Sequence, residues 1–272
     1  MPNWVTAKLT IEGPNASKVM QGLLDKRENE VVFDFNKIIP MPKELQIVAG
    51  DVTDKCIDYY LATISEEGFN NLVNAFLKSS NSNYLKDKTI LKSEDKIKEL
   101  KEKLLENYSQ KGKDYCPEPV LNTESDIIEY GKNALMNVIK YGALDWYEWS
   151  TKNWGTKWNA CHNIYDEKVP NEIRFDTAWS DVRGLICELS KLYPDNNFVY
   201  EYAEEQIGLY TGQVCFQNGE MLYGACFEDN SKEAYELAFS LWGDSVRDWF
   251  EFDGKTNTYK LKEQNEDDEE ME

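Results

Sequence analysis

Val5-Thr6-Ala7-Lys8-Leu9-Thr10-Ile11 opens the chain with strict alternation of apolar and polar residues, and Gly13-Pro14 stops it. A period of two places Val5, Ala7, Leu9 and Ile11 on one face, which describes a strand buried on one side. Helical spacing then takes over at Ala16, Val19, Met20 and Leu23. An extended segment follows from about Val31 to Ile39 until Pro40 and Pro42 interrupt it. The opening is therefore β-α-β, and an α+β fold is expected.

From about Ser65 to Gly142 the pattern is mostly helical, with Phe69, Leu72, Val73 and Phe76 in one segment and Ile127, Ile128, Leu135, Val138 and Ile139 in another, the latter capped by Thr123 and Asp126. Between them, residues 86–114 read as a Lys/Glu-rich surface helix with a narrow seam of Ile97, Leu100, Leu104 and Tyr108. Strands are expected at about 156–164, 171–179, 197–204, 208–217 and 220–228, with a helix at 181–193 ended by Pro194. Asn218-Gly219 is the strongest hairpin signal, because both positions of a type I′ turn need positive φ. A two-residue loop there sets Phe216 opposite Met221, Cys215 opposite Leu222 and Val214 opposite Tyr223. Ser231 to Trp249 is amphipathic, and the acidic run 263–272 has nothing to bury, so disorder is expected there. The expected organisation is one elaborated domain, 1–262, with a helical insertion over about 65–150, a β-rich part over about 153–254 and a tail at 263–272.

Hydrophobic content of 41% and aromatic content of 13% suffice for a core. No stretch approaches the ~18 to 20 apolar residues that span a bilayer, and the first residues lack the regions of a signal peptide. A cytoplasmic protein without membrane contact is expected. The six cysteines, Cys56, Cys116, Cys161, Cys187, Cys215 and Cys226, form no CxxC pair and read as reduced thiols. The formal net charge is −20. Residues 171–272 carry most of it, with 24 acidic and 8 basic side chains. Such a balance opposes direct nucleic-acid binding and favours a basic partner.

The aromatic run Trp146-Tyr147-Glu148-Trp149, Trp154-Gly155-Thr156-Lys157-Trp158 and Phe175-Asp176-Thr177-Ala178-Trp179 supports two readings. Trp154, Lys157, Trp158, Asp176 and Trp179 could line a stacking pocket for a planar ligand. Alternatively the tryptophans staple the insertion to the sheet, each anchoring its indole N–H. Alternation favours the second, with Ile173, Phe175, Thr177 and Trp179 on one face and Arg174 and Asp176 on the other, Asp176 within reach of Lys157. His162 and Cys161 are neighbours on an expected strand and point apart, so neither a metal nor a Cys–His pair is expected from them. No phosphate-loop, dinucleotide, hydrolase or zinc-protease motif is present, so no catalytic residue and no cofactor are nominated. The candidate partner surface is acidic: Glu201, Glu204, Glu205, Glu228, Asp229, Asp244, Asp248, Glu251 and Asp253.

Three pieces together resemble the YubB ferredoxin-like family of plasmid and phage proteins: Met1-Pro2-Asn3-Trp4, Phe35-Asn36-Lys37-Ile38-Ile39-Pro40-Met41-Pro42, and Asn153-Trp154-Gly155-Thr156-Lys157-Trp158-Asn159-Ala160 leading to Phe175-Asp176-Thr177-Ala178-Trp179-Ser180. The resemblance runs to about residue 228. It implies a mainly antiparallel ferredoxin-like sheet with helices on one face, and no iron–sulfur ligand or assigned reaction. Family members often carry Pro-Pro where this chain has Asp181-Val182, and the acidic tail looks like an addition. The cargo setting of that family, joined to the charge, implies a non-enzymatic module that binds a basic protein. Its narrower form is a nucleic-acid mimic inhibiting a host defence effector of the CRISPR or restriction kind.

Overall fold

The computed structural model describes residues 2–27, 30–79, 81, 83–88, 90–108 and 119–262. Cys116 and the tail 263–272 lie outside the described residues, as does part of the 86–114 stretch. In chain order the elements are β1 (Trp4–Glu12), α1 (Ala16–Leu23), β2 (Leu24–Arg27), β3 (Glu30–Phe33), α2 (Asp51–Thr63), α3 (Glu66–Leu77), α4 (Glu94–Tyr108), α5 (Glu124–Tyr141) and α6 (Trp146–Asn153). They continue with β4 (Cys161–Ile164), β5 (Glu172–Ala178), α7 (Arg183–Leu192), β6 (Asn197–Glu204), β7 (Thr211–Gln217), β8 (Glu220–Cys226), α8 (Lys232–Trp242), α9 (Asp244–Arg247), β9 (Phe250–Asp253) and β10 (Thr258–Leu261). Two compact units result: a sheet unit from residues 1–40 and 153–272, and a helical unit from residues 41–152.

The sheet unit holds a six-stranded antiparallel sheet in the order β4-β5-β1-β6-β7-β8. The run β4-β5-β1-β6, with α1 after β1 and α7 between β5 and β6, is the ferredoxin-like β-α-β-β-α-β arrangement. The β7–β8 hairpin extends it at one edge. β1 alternates as its sequence requires: Val5, Ala7, Leu9 and Ile11 are fully buried. Their register partners Phe175 and Ile173 on β5, and Tyr202, Tyr200 and Phe198 on β6, complete one apolar face. The Tyr200 hydroxyl accepts the Val182 N–H at 3.1 Å, which sets the start of α7 on this face. The opposite face carries Thr6, Lys8, Arg174 and Glu201, and α8 covers part of it by packing Ala238 and Leu241 on Ala203. Helices α1 and α7 follow the expected one-sided arrangement, and α8 is an addition on the other side.

Two long separations in sequence are closed by side-chain amides. Asn159 accepts the Phe35 N–H at 2.9 Å and donates to Asp34 at 2.7 Å, while Asn163 accepts the Phe33 N–H at 3.0 Å. The Trp154 indole donates to the Ile39 carbonyl at 2.9 Å and its ring meets Phe35 edge-on. Two of the segments that carry the family resemblance are thus bonded to each other.

Within the helical unit, Leu104 of α4 is buried with Val52, Cys56 and Tyr59 of α2 and Ile127 of α5. The narrow apolar seam of α4 is therefore its packing face. α5 starts with the expected capping box at Thr123 and Asp126. Its Gly131 permits a close helix approach, since a Cβ there would sit 2.2 Å from the Cys56 carbonyl oxygen of α2. Helix α2 precedes the region read as helical from sequence.

Several boundaries and registers differ from expectation. β3 ends at Phe33, and Phe35–Lys37 form a 3-10 turn capped by Asp34. Only Cys161–Ile164 of the 156–164 run is strand, and β7 begins at Thr211. Asn218 and Gly219 have φ of 49° and 79°, as the hairpin signal requires. Phe216 does face Met221, but Leu222 is extruded as a bulge, so Cys215 faces Tyr223 and Val214 faces Gly224. The last amphipathic segment breaks at Gly243, whose φ of 97° ends α8.

Replacing Asn159 by Ala leaves the buried Phe35 with an unpaired N–H and removes an Asp34 partner. Urea unfolding of the Asn159→Ala variant is expected to show a loss of roughly 2 to 3 kcal/mol, as for a removed hydrogen-bond pair at a buried site. An unchanged midpoint and slope would mean the amide does not hold the two segments.

Candidate functional site

The residues expected to form an aromatic pocket differ in burial and in partners. Trp154 is buried, with its indole N–H spent on Ile39. Trp179 follows the end of β5 with φ of 71°, which breaks the alternation and turns its ring outward, 48% exposed, instead of placing it beside Phe175 and Thr177. The Lys157 ammonium lies 4.5 Å from the Trp158 ring centre and 5.0 Å from that of Trp179. The slot between those rings is thus occupied by the chain's own cation. The Asp176 carboxylate accepts the Thr6 hydroxyl at 2.7 Å and meets His162 Nδ1 at 2.7 Å. His162 adopts φ of 47° in the irregular β4–β5 ladder, and its ring packs edge-on against Trp4 at 4.8 Å. The result is a surface strip, Trp179-Lys157-Trp158-Trp4-His162-Asp176, in which Lys157 lies over two rings and His162 meets Asp176.

The acidic residues divide into those that hold the fold and those that project charge. Glu201 pairs with Lys8 at 2.6 Å, and Glu204 accepts from the Asn3 amide at 3.0 Å. Glu205 accepts the Trp4 N–H at 3.0 Å and Asp229 the Tyr210 N–H at 3.1 Å. Glu251 pairs with Lys260 at 3.1 Å, and Asp253 accepts the Lys255 N–H at 2.9 Å. Glu228, Asp244 and Asp248 are exposed and make no ion pair among the described residues.

Hydrogen bonds to backbone carbonyls draw several of these segments to one end of the sheet. The Asn230 N–H donates to Gly208 at 2.8 Å, and the Thr258 hydroxyl donates to the Asn230 carbonyl. The Trp242 indole donates to the Glu204 carbonyl at 3.1 Å. The β6–β7 loop, the β8–α8 turn and β10 therefore meet there. Trp249, next to Asp248, and Phe252 are exposed in the α9–β9 region; the Phe252 ring packs on Tyr259 at 5.3 Å and has Lys232 5.7 Å from its centre. Tyr210 is exposed beside Asp229.

A further cluster escaped the sequence reading. Asp181 is almost fully buried and grips the Arg183 guanidinium through Nε and a second nitrogen, the latter at 2.8 Å. Tyr210 donates its hydroxyl to the same carboxylate at 2.6 Å. Arg183 lies over the Tyr202 ring at 4.8 Å and reaches Cys226 Sγ at 3.3 Å, and the Tyr202 hydroxyl is 3.4 Å from that sulfur. These contacts, the Tyr202 hydroxyl first and Arg183 second, hold the exposed Cys226 thiol below its ordinary value. Cys226 opens on a cavity of about 280 Å³ lined by Val214, Phe216, Met221, Gly224 and Ala225. Arg183 donates to Cys226, and the chain's single histidine belongs to the Asp176 face, opposite Tyr202. A Cys–His pair at Cys226 is therefore ruled out by the sheet. The residues of the cluster span 181 to 226 without a motif, so only an expectation of how β6, β7 and β8 align could have joined them.

Among the described residues no helix is long and apolar enough to cross a membrane, and no group of three His, Cys, Asp or Glu side chains is placed to hold a metal ion. Residues 153–243 match the family described as the ferredoxin-like domain in Api92-like protein. That segment contains β4, β5, α7, β6, β7, β8 and α8 and agrees with the ferredoxin-like sheet described above. The match bears the Api92-like description, not the YubB name. A crystal structure of the protein api92 from Yersinia pseudotuberculosis is similar at 14% identity, covering 84% of this chain and 99% of its own, with a TM-score of 0.37. That likeness is too low to carry residue roles. A search of curated proteins finds no match.

Alkylation of the native protein by iodoacetamide near neutral pH is expected to label Cys226 ahead of the buried Cys56 and Cys215, whose thiols burial pushes up, Cys56 to about 12. The Arg183→Gln variant is expected to slow that labelling. Equal rates at Cys226 in both proteins would show that the guanidinium does not support the thiolate.

Proposed function

We propose that the chain is a non-enzymatic interaction module whose acidic, aromatic surface binds a basic protein. The observation that carries this reading is the exposure of Trp249 next to Asp248, with Phe252 also exposed, in the α9–β9 region of a chain of net charge −20. Exposed aromatics offer anchors with little entropy to lose, and flanking carboxylates suit Arg and Lys on a partner. Glu204, Glu205, Glu228 and Asp229 add charge at the sheet end. A nucleic-acid-binding effector, whose groove is basic for its own ligand, falls within this partner class. The mobile-element setting implied by the YubB resemblance belongs to the same proposal. The alternative, a planar ligand stacked among Trp154, Lys157, Trp158, Asp176 and Trp179, gains no support from a buried Trp154 and a Lys157 seated between two rings.

Attraction between exposed charges is screened beyond about 8 Å at physiological ionic strength. Affinity capture with the tagged chain is expected to retain a basic protein at low salt and release it at high salt, with Asp248→Asn and Trp249→Ala each weakening retention. Retention indifferent to salt and to both substitutions would refute the reading.

A further inference from the structure

The two edges of the sheet are protected very differently. β4 is four residues long and irregular at His162. β8 runs seven residues, Glu220-Met221-Leu222-Tyr223-Gly224-Ala225-Cys226, and every one is exposed. It contains one charged residue and no proline or lysine, and no strand pairs with its outer side among the described residues. Natural sheets blunt such edges with charge, proline or bulges. The bulge at Leu222 leaves Tyr223–Cys226 regular. The cavity bordered by Met221, Gly224 and Cys226 opens on one face of this strand. Its volume, about 280 Å³, lies just below the range of about 300–1,000 Å³ common for small-molecule sites and suits an apolar side chain. Directly beyond Cys226 come the exposed carboxylates Glu228 and Asp229.

We infer that β8 is a strand-addition edge, which takes an extended segment of a basic protein partner. Main-chain bonds to Tyr223–Cys226 supply affinity, an apolar side chain fills the cavity, and Arg or Lys at one end meets Glu228 and Asp229. The charge of the occupant rests on the function proposed above, whereas the edge pairing does not. Charge selects this occupant over a second copy, which would bring two bodies of net charge −20 together.

The test uses the full chain and three synthetic peptides: acetyl-Arg-Arg-Thr-Val-Thr-Leu-Thr-Val-amide, the same peptide N-methylated at alternate residues, and a version with both Arg replaced by Glu. Fluorescence anisotropy gives affinity, amide hydrogen exchange gives the location, and sedimentation gives the oligomeric state. The first peptide is expected to slow exchange across residues 220–226, N-methylation to weaken binding about tenfold for each two hydrogen bonds lost, and the Glu version not to bind. Equal binding of the N-methylated peptide, protection elsewhere, or no binding of the first peptide would overturn the edge while leaving the acidic-surface reading to its own test. Equal binding of the Glu version would overturn the charge of the occupant and keep the edge. A dimer that protects residues 220–226 without peptide would make the second copy the occupant and overturn the inference.

Discussion

The sheet unit is made of two pieces of chain, and its existence depends on what ties them together. The polypeptide leaves at Pro40 and returns at Asn153. A flexible loop of that length would cost roughly 4 kcal/mol to close, and ordering the returning segment costs more. β1 recovers part of this by pairing with β5 and β6 on both sides. Phe33 and Phe35 add to it by packing on Phe175, and the polar ties are the side chains of Asn159 on Asp34 and Phe35, Asn163 on Phe33, and the Trp154 indole on Ile39. Each satisfies a backbone group that no strand partner reaches, which is why Asn rather than a hydrophobic residue serves there. Asp34 gains from the same arrangement: burial alone would raise its carboxyl, but bonds from Asn36 and Asn159 bring it below the ordinary value.

Once that unit is closed, its charge follows from which carboxylates the closure uses. Glu201, Glu204, Glu205 and Asp229 bond to neighbouring groups of the fold, and they still contribute field at the surface. Glu228, Asp244 and Asp248 contribute field alone. The α8 and β9–β10 additions bring Trp249 and Phe252 to the surface among these acids. The same unit buries Asp181, but with a bidentate guanidinium and a tyrosine hydroxyl as compensation. A buried carboxylate is tolerated only on such terms. That pair also positions Arg183 toward Cys226, where it joins the Tyr202 hydroxyl in holding the thiol below its ordinary value.

Much of this fold was legible because its signals are local. Alternation placed β1 correctly, Asn218-Gly219 marked its hairpin, and Thr123 with Asp126 capped α5. Readings failed where the outcome depends on a distant neighbour. Gly224 hints at a bulge without saying which residue is extruded, and the alternation through Ile173, Phe175 and Thr177 gives no warning that Trp179 takes positive φ and turns outward. Asp176 reads as a partner for Lys157 across the sheet, whereas the contacts of its carboxylate are with its register neighbour Thr6 and the kinked His162. The acidic composition was visible at once. Which acids bond within the fold was not, because Asn3, Lys8 and Tyr210 come from other strands or loops.

Native-state hydrogen exchange at Phe33 and Phe35 tests the central claim most directly. If Asn163 and Asn159 close the sheet unit, those two amides open with the same free energy as the β1 amides of Ala7 and Leu9, by unfolding of the whole unit. Exchange at Phe33 and Phe35 through a far cheaper local opening, with β1 still protected, would show that the sheet stands without them.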